Sequence, residues 1–410
     1  WHLAGKDIEL NRVNQPWSTP GFTADWRFDN HHLSSLKASA AYLRLDNLTP
    51  LIAVLPPGPL RTRLIELSPE GEVRDLSIDF VDTAGETPDL RAFDARLAGV
   101  GFGPSGRAPG VRGITGRLTG RANHLSADID SRQLAFLAPI VFRVPLVVDR
   151  LQARLEADYR ATGVRIEAHQ VAIASPHAQA TAEMSVWIPS DGSSPVLDLE
   201  AHAKNADASK AWQYMPVNKL GDKTLAWLDQ AFVAGLVPEA EVVYRGPTHS
   251  FPFRDGQGLF RITGRTENMT LSYQPGWPAV TGLAVDFEFL NPGLSASIRQ
   301  GNLAGLVIEA GAAAFPDFKR GDLDVDAAAH GDLSAALKYL QATPLGPKFG
   351  AAFMALAGSG PTHASAKLFL PVTHLADRRV NVEAAFNDDR VSLTDRLHAA
   401  GEVKGTLRVH

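Results

Sequence analysis

The sequence holds no cysteine in its 410 residues. That excludes a disulfide scaffold, thiolate metal sites and a cysteine nucleophile, while leaving the compartment open. No apolar run approaches the roughly 18 residues that a membrane-spanning helix needs. Charge blocks are missing as well: 40 Lys and Arg against 45 Asp and Glu give a net charge of −5, spread along the chain. With no basic field to condense on phosphates, nucleic acid is not an expected partner. Also absent are a G-x-S-x-G elbow and a helical H-x-x-x-H pair. What is plentiful is apolar residues, at 45%, which is ample for a core and argues against disorder.

The motifs that could carry chemistry dissolve on inspection. Gly101-Phe-Gly103-Pro-Ser-Gly106 matches a dinucleotide fingerprint in letters. The mechanism, however, needs a helix opening at its last glycine, and Pro104 with the following Arg-Ala-Pro-Gly forbids one. The whole stretch Gly99–Gly113 reads as a long hairpin loop. Asp322, Asp324 and Asp326 lack the Gly and Glu of a calcium loop, since Ala327 and Leu333 stand there. On a strand those carboxylates form one solvated face, with Leu323 and Val325 on the other. His31-His32, His169, His177 and His202 are scattered and read as surface histidines. No catalytic residue, metal ligand or cofactor site is expected, and the chain does not read as an enzyme.

Outside three helical blocks, apolar residues recur at i, i+2, i+4, as in RLEADYRATGVRIEAHQVAIAS (154–175) and LAVDFEFLN (283–291). Successive strand residues face opposite ways, so this is antiparallel sheet with one apolar face. Each block combines a short helix, a proline break (Pro56, Pro216, Pro344), a second apolar helix and a strand. In the middle block Leu225, Leu228, Phe232 and Leu236 form a helical stripe, closed by Gly235 and Pro238. The blocks suggest three segments: 1–205 with a helical block at 46–67, 206–330 with one at 206–237, and 331–410 with one at 331–357. Short alternating linkers favour one continuous sheet. The chain starts at Trp1 and stops inside a strand-like run, so it is expected to be an internal piece of something longer.

Aromatics concentrate between Trp212 and Trp277. The ordered run W-Q-Y-M-P (212–216), W-L-D-Q-A-F-x-x-G (227–235), Y-R-G (244–246), F-P-F (251–253), G-L-F (258–260) and Y-x-P-G-W-P (273–278) resembles the YhdP family of the AsmA-like group, which also includes TamB. The strong signal covers about residues 206–289. The resemblance implies a mainly β fold: an elongated, twisted antiparallel sheet folded into an open hydrophobic groove, with short helical insertions. It further implies a periplasmic protein, anchored in the inner membrane of a Gram-negative bacterium, that moves phospholipid between the inner and outer membranes and supports the permeability barrier.

Physical reasoning converges on this. A long apolar face not closed by protein exceeds what a soluble monomer tolerates, and acyl chains would cover it at about 0.8 kcal/mol per buried CH2. Strand parity makes Ile262, Leu271, Leu283, Val285, Phe287 and Phe289 the candidate lipid-facing residues. A one-residue slip would reverse that face. Two alternatives remain: a scaffold whose sheet edges template outer-membrane protein strands, and a polysaccharide-acting β-solenoid, for which no short repeat is seen.

Overall fold

Each strand alternates apolar and polar side chains, and hairpin turns return it beside its predecessor, so the chain builds sheet by simple meandering. The structure is a computed structural model. It describes residues 2–409 except 6–7, 13–14, 20, 30–31, 49–58, 82–88, 107, 320, 372–378 and 393–399. Pro56 and His31 lie outside the described residues. The chain divides into two compact units, Trp1–Ala201 with Gly246–His249, and His202–Arg245 with Ser250–His410. Mainly β, antiparallel architecture with short helical insertions describes both.

The first unit is a meander. Strand His2–Gly5 pairs with Phe22–Asp29, and sequential neighbours follow from His32–Arg44 through Glu70–Val81, Asp89–Phe102, Gly110–Arg121, His124–Leu137, Leu146–Arg160 and Gly163–Ala174 to Gln179–Pro189. A separate hairpin joins Ile8–Arg12 to Gln15–Thr19. Helix α1 (Pro59–Leu67) lies between His32–Arg44 and Glu70–Val81. The glycine-rich stretch is a hairpin whose strands run on to Phe102 and resume at Gly110, and no helix opens after Gly106. That geometry disposes of the dinucleotide reading.

The second unit continues the pattern from Phe232–Pro247 through Val280–Leu290, Gly293–Leu303, Leu306–Phe315, Asp322–Asp332, Pro361–Pro371 and Arg379–Ser392 to Ala400–Val409. Between the first two of these strands, Leu259–Arg265 and Glu267–Leu271 share one lane, broken at Thr266. Thr266 is 3% exposed; its N–H donates to the Val285 carbonyl at 2.8 Å and its Oγ1 accepts the Val285 N–H at 3.1 Å, so the kink costs no hydrogen bond. Two further helices are α2 (Asp222–Ala231) and α3 (Leu333–Ala342). Asp332 caps α3, accepting from the Ser334 N–H at 2.8 Å.

One helical expectation is corrected. Helix α2 stops at Ala231, and Phe232 and Leu236 belong to the strand that follows. The spacing 225, 228, 232, 236 satisfies a helix, but the backbone at Gly235 (φ +143) passes so near Met269 that a Cβ there would sit 2.8 Å from its Cα. Pairing with Glu267–Leu271 outweighs the local periodicity.

Candidate functional site

Cross-strand register turns the alternation into rows. In the second unit Ile262 opposes Phe289, which opposes Leu294, which opposes Phe315. The next row runs Gly264, Phe287, Ala296, Ala313, Val325 and Leu368, and the one after it Val285, Ile298, Gly311, Ala327 and Ala366. Deeper packing occurs where the sheet bulges: Met269, Val280, Leu283, Val285 and Ile308 form a buried cluster flanked by Phe232, Leu271, Tyr273, Phe287 and Ile298. The six residues expected from parity all stand on this face. Leu271, Leu283, Val285 and Phe287 belong to the cluster or its flank, the Phe287 and Phe289 rings are 5.9 Å apart, and Ile262 is the direct partner of Phe289.

The first unit repeats the arrangement. Ala38, Ile78, Phe93, Gly120, Leu125, Ala157, Ile166 and Val186 make one row. Ala95, Leu118, Ala127, Leu155, Ala168 and Met184 make another. In these two rows the small members are the most buried, with Ala95 at 1% and Ala168 at 2% exposure, while Leu118, Leu155, Ile166, Met184 and Val186 stay half-buried; Ile129 and Leu134 elsewhere in the unit are buried as well. Side chains that shield each other, with no layer above them among the described residues, give this pattern.

The opposite face is ionic. Arg150 and Asp130 form two hydrogen bonds of 2.9 and 2.8 Å, Arg154 meets Asp128 at 3.1 Å, Arg117 meets Asp94, and Arg299 meets Asp286 at 3.1 Å. Hydrogen bonds from Arg117 and Arg150 hold the Asp94 and Asp130 carboxyls below the usual carboxylate range. These exposed pairs each contribute little to stability, but they keep this face wetted. Asp322, Asp324 and Asp326 fall on a strand as expected, and Asp326 reaches Lys367 at 3.5 Å. Among the described residues one group could present metal-ligating atoms together, Glu156, Glu167 and His169, within 4.8 Å of one another. It lies among the ionic pairs, with His169 Nδ1 3.0 Å from Glu183 Oε2 and Arg165 3.6 Å from Glu167.

Aromatic clusters bound the apolar face of the second unit at both strand ends. At one end Phe260 and Tyr244 oppose each other, Phe251 and Phe253 pack on them, and Phe318 stacks on Phe289 at 6.0 Å. Phe253 is 1% exposed, and burial pushes the Tyr244 hydroxyl up to about 12. A bidentate pair between Arg254 and Asp317, at 2.7 and 2.8 Å, pins this loop to the Phe315–Asp322 turn. At the other end the hydroxyls of Tyr273 and Tyr339 meet at 2.8 Å, Trp277 packs against both rings, and Trp227 donates from Nε1 to the Tyr273 carbonyl at 3.0 Å. Burial raises the pKa of both tyrosines.

Parity missed Met269, Val280 and Ile308, and also Phe318 and Tyr339. Between Leu271↔Val280 and Met269↔Leu283 one strand advances two residues and its partner three, with Gly282 at φ +57 taking up the extra one. A bulge of this kind flips parity, so Val280 and Leu283 share a face that counting by two would deny them.

The class these features define is an antiparallel meander, ionic on one face and apolar on the other, with helices and aromatic loops at its strand ends. The chain belongs to the YhdP family, whose model matches residues 1–409. It is also similar to the intermembrane phospholipid transporter YhdP of Escherichia coli strain K12, at 26% identity over 382 residues, covering 91% of this chain and 30% of that protein. The chain thus spans under a third of that relative's length. No solved structure matches it.

Proposed function

We propose that this chain carries phospholipids by their acyl chains along its apolar face, as part of a longer periplasmic protein that is anchored in the inner membrane, bridges to the outer membrane and supports the permeability barrier. The observation that carries this is the stack of apolar rows that no other described residues cover as a layer, Leu118, Leu155, Ile166 and Met184 among their half-buried members. Burial of hydrocarbon needs no directional contact, so successive strands about 4.8 Å apart along a row offer a chain nearly equivalent positions. Headgroups would remain in water at the groove mouth. The role is non-enzymatic, which fits the relative's description as a transporter. Among the described residues no helix is long and apolar enough to cross a membrane, so anchoring is assigned to other parts of the longer protein.

Native mass spectrometry of the purified chain, followed by solvent extraction and lipid identification, tests the reading. Phospholipid retained in near-stoichiometric or larger amount is the expected result. A lipid-free mass, unchanged after incubation with phospholipid vesicles, would overturn it.

A further inference from the structure

The central helical insert, residues 208–231, leaves the sheet at the end of strand Val196–Asp207 and returns to it at Phe232. Its tip nevertheless reaches toward the far end of strand Phe232–Pro247. Lys219 donates from Nζ to the Phe251 carbonyl at 3.3 Å, and its ammonium lies 5.8 Å from the centre of the Phe251 ring. Phe251 stacks on Tyr244 at 6.0 Å and meets Phe260 edge-on at 5.0 Å. Tyr244 and Phe260 lie two residues beyond the Val242–Ile262 pair, so they stand on the same apolar face as Ile262 and Phe289. The insert and the 250–258 loop therefore meet above that face and arch over it.

The two sides of the arch differ in firmness. The loop is fixed by Phe253 in its buried socket and by the Arg254–Asp317 pair. The insert is held at its Phe232 end by Trp227, through the Tyr273 carbonyl and an edge contact with Phe232. At its tip Lys219 makes the contact with the loop, and Gly221, the N-cap of helix α2, supplies no side-chain cap. Lys219 is exposed, and among the described residues its contacts are the Phe251 carbonyl and ring, with no carboxylate to neutralise it. A phosphate oxygen would hold the ammonium more tightly than either contact, because it sets a full negative charge against the cation, which neither a neutral carbonyl nor a ring carries.

We infer that Lys219 and Phe251 form a latch over the apolar face, opened when the phosphate of a lipid headgroup takes the ammonium from Phe251. The inference rests on the lipid-carrying reading and adds to it a headgroup contact and a gate. A lipid whose chains lie beneath the arch can pass with its headgroup outside only if the tip swings away, so the contact that recognises phosphate is also the one that must break.

The absence of cysteine makes the test clean: Lys219→Cys with Phe251→Cys can be bridged by a short, reducible thiol cross-linker. Uptake is measured on the 410-residue chain from phosphatidylethanolamine vesicles carrying an acyl-labelled fluorescent phosphatidylethanolamine, or the same label on diacylglycerol. Bridging should slow phospholipid uptake about tenfold or more, with recovery on reduction. Lys219→Met should weaken phosphatidylethanolamine binding about fivefold and leave diacylglycerol unchanged, while Lys219→Arg keeps both. Should the double-cysteine variant not fold, the Lys219 substitutions alone decide. Uptake at the unbridged rate while bridged, or equal loss for both lipids in Lys219→Met, overturns the latch and leaves lipid carriage standing. Failure of the unsubstituted chain to take up either lipid overturns both.

Discussion

A pair of arginine substitutions on opposite faces separates a lipid-bearing face from a merely structural one. Ile298 stands in the row Val285, Ile298, Gly311, Ala327, half-buried, with its Cδ1 lying 3.0 Å from where a Cβ on Gly311 would be. Ala312, on the next strand, points the other way, exposed and directly opposite Asp326. Ile298→Arg forfeits part of an already half-exposed side chain, about 1 kcal/mol of folding stability. Ala312→Arg gains a cross-strand partner in Asp326 and should be neutral within about 0.5 kcal/mol. Toward lipid the two diverge. An arginine beneath acyl chains meets a cost like that on the lipid face of a membrane barrel, about 2–4 kcal/mol at full depth, which lowers affinity about 30- to 1000-fold. Transfer of a fluorescent phospholipid between donor and acceptor vesicles, with thermal melts as the folding control, reads both terms. The expected result is loss of transfer in Ile298→Arg with a melt only slightly lowered, and unchanged transfer in Ala312→Arg. Equal transfer by the two variants would refute the assignment of lipid to this face.

Three further outcomes follow from local geometry. Asp332 caps α3 and also accepts the Gly360 N–H at 3.0 Å, so Asp332→Ala should cost about 1 kcal/mol, read in a denaturant melt. Hydrogen bonds from the Ser334 backbone and side chain and from Gly360 lower the Asp332 pKa, so its contribution is present above the unfolded carboxylate range and fades as pH falls below it, a loss the alanine variant should not show. Tyr244 carries the opposite sign: its hydroxyl is raised to about 12 by burial, so stability is full below the unfolded value near 10 and declines between there and about 12, as a spectrophotometric titration of Tyr244→Phe against the parent would show. Gly264→Val places a side chain where a Cβ is already 2.7 Å from the Phe287 ring tip, and should cost about 1–3 kcal/mol while changing the near-ultraviolet circular dichroism.

Legibility of the sequence tracked how local each determinant was. Val285, Phe287 and Phe289 alternate without interruption, so counting by two puts them on one face of their strand. Counting failed within five residues of them, at Val280, because the bulge at Gly282 inserts a residue that only the partner strand reveals. Phe232 and Leu236 fitted a helical stripe as well as they fit a strand, and the choice fell to pairing with residues 30 or more positions away. Phe318 on Phe289 and Tyr339 on Tyr273 depend on turns and inserts folding back over the sheet, for which spacing holds no signal. The arch is of the same kind: Lys219 and Phe251 are 32 residues apart and meet only because the insert lies along the strand that follows it.

The division of labour between the faces bears on why a conduit would be built this way. Ion pairs such as Arg150–Asp130 and Arg154–Asp128 link neighbouring strands on the wet face, so register can be read there without spending any polar group on the other. The apolar face is then free to be chemically uniform along the row direction, which is what lateral movement of an acyl chain requires: a single deep pocket would hold the chain, and a single buried charge would stop it. The interruptions that do occur, the aromatic clusters of Tyr244, Phe251 and Phe253 and of Tyr273, Trp277 and Tyr339, lie at the strand ends and leave the rows between them uncrossed by charge. Lys219 is the exception, held above the rows by contacts with Phe251, and it sits where a headgroup and not an acyl chain would pass.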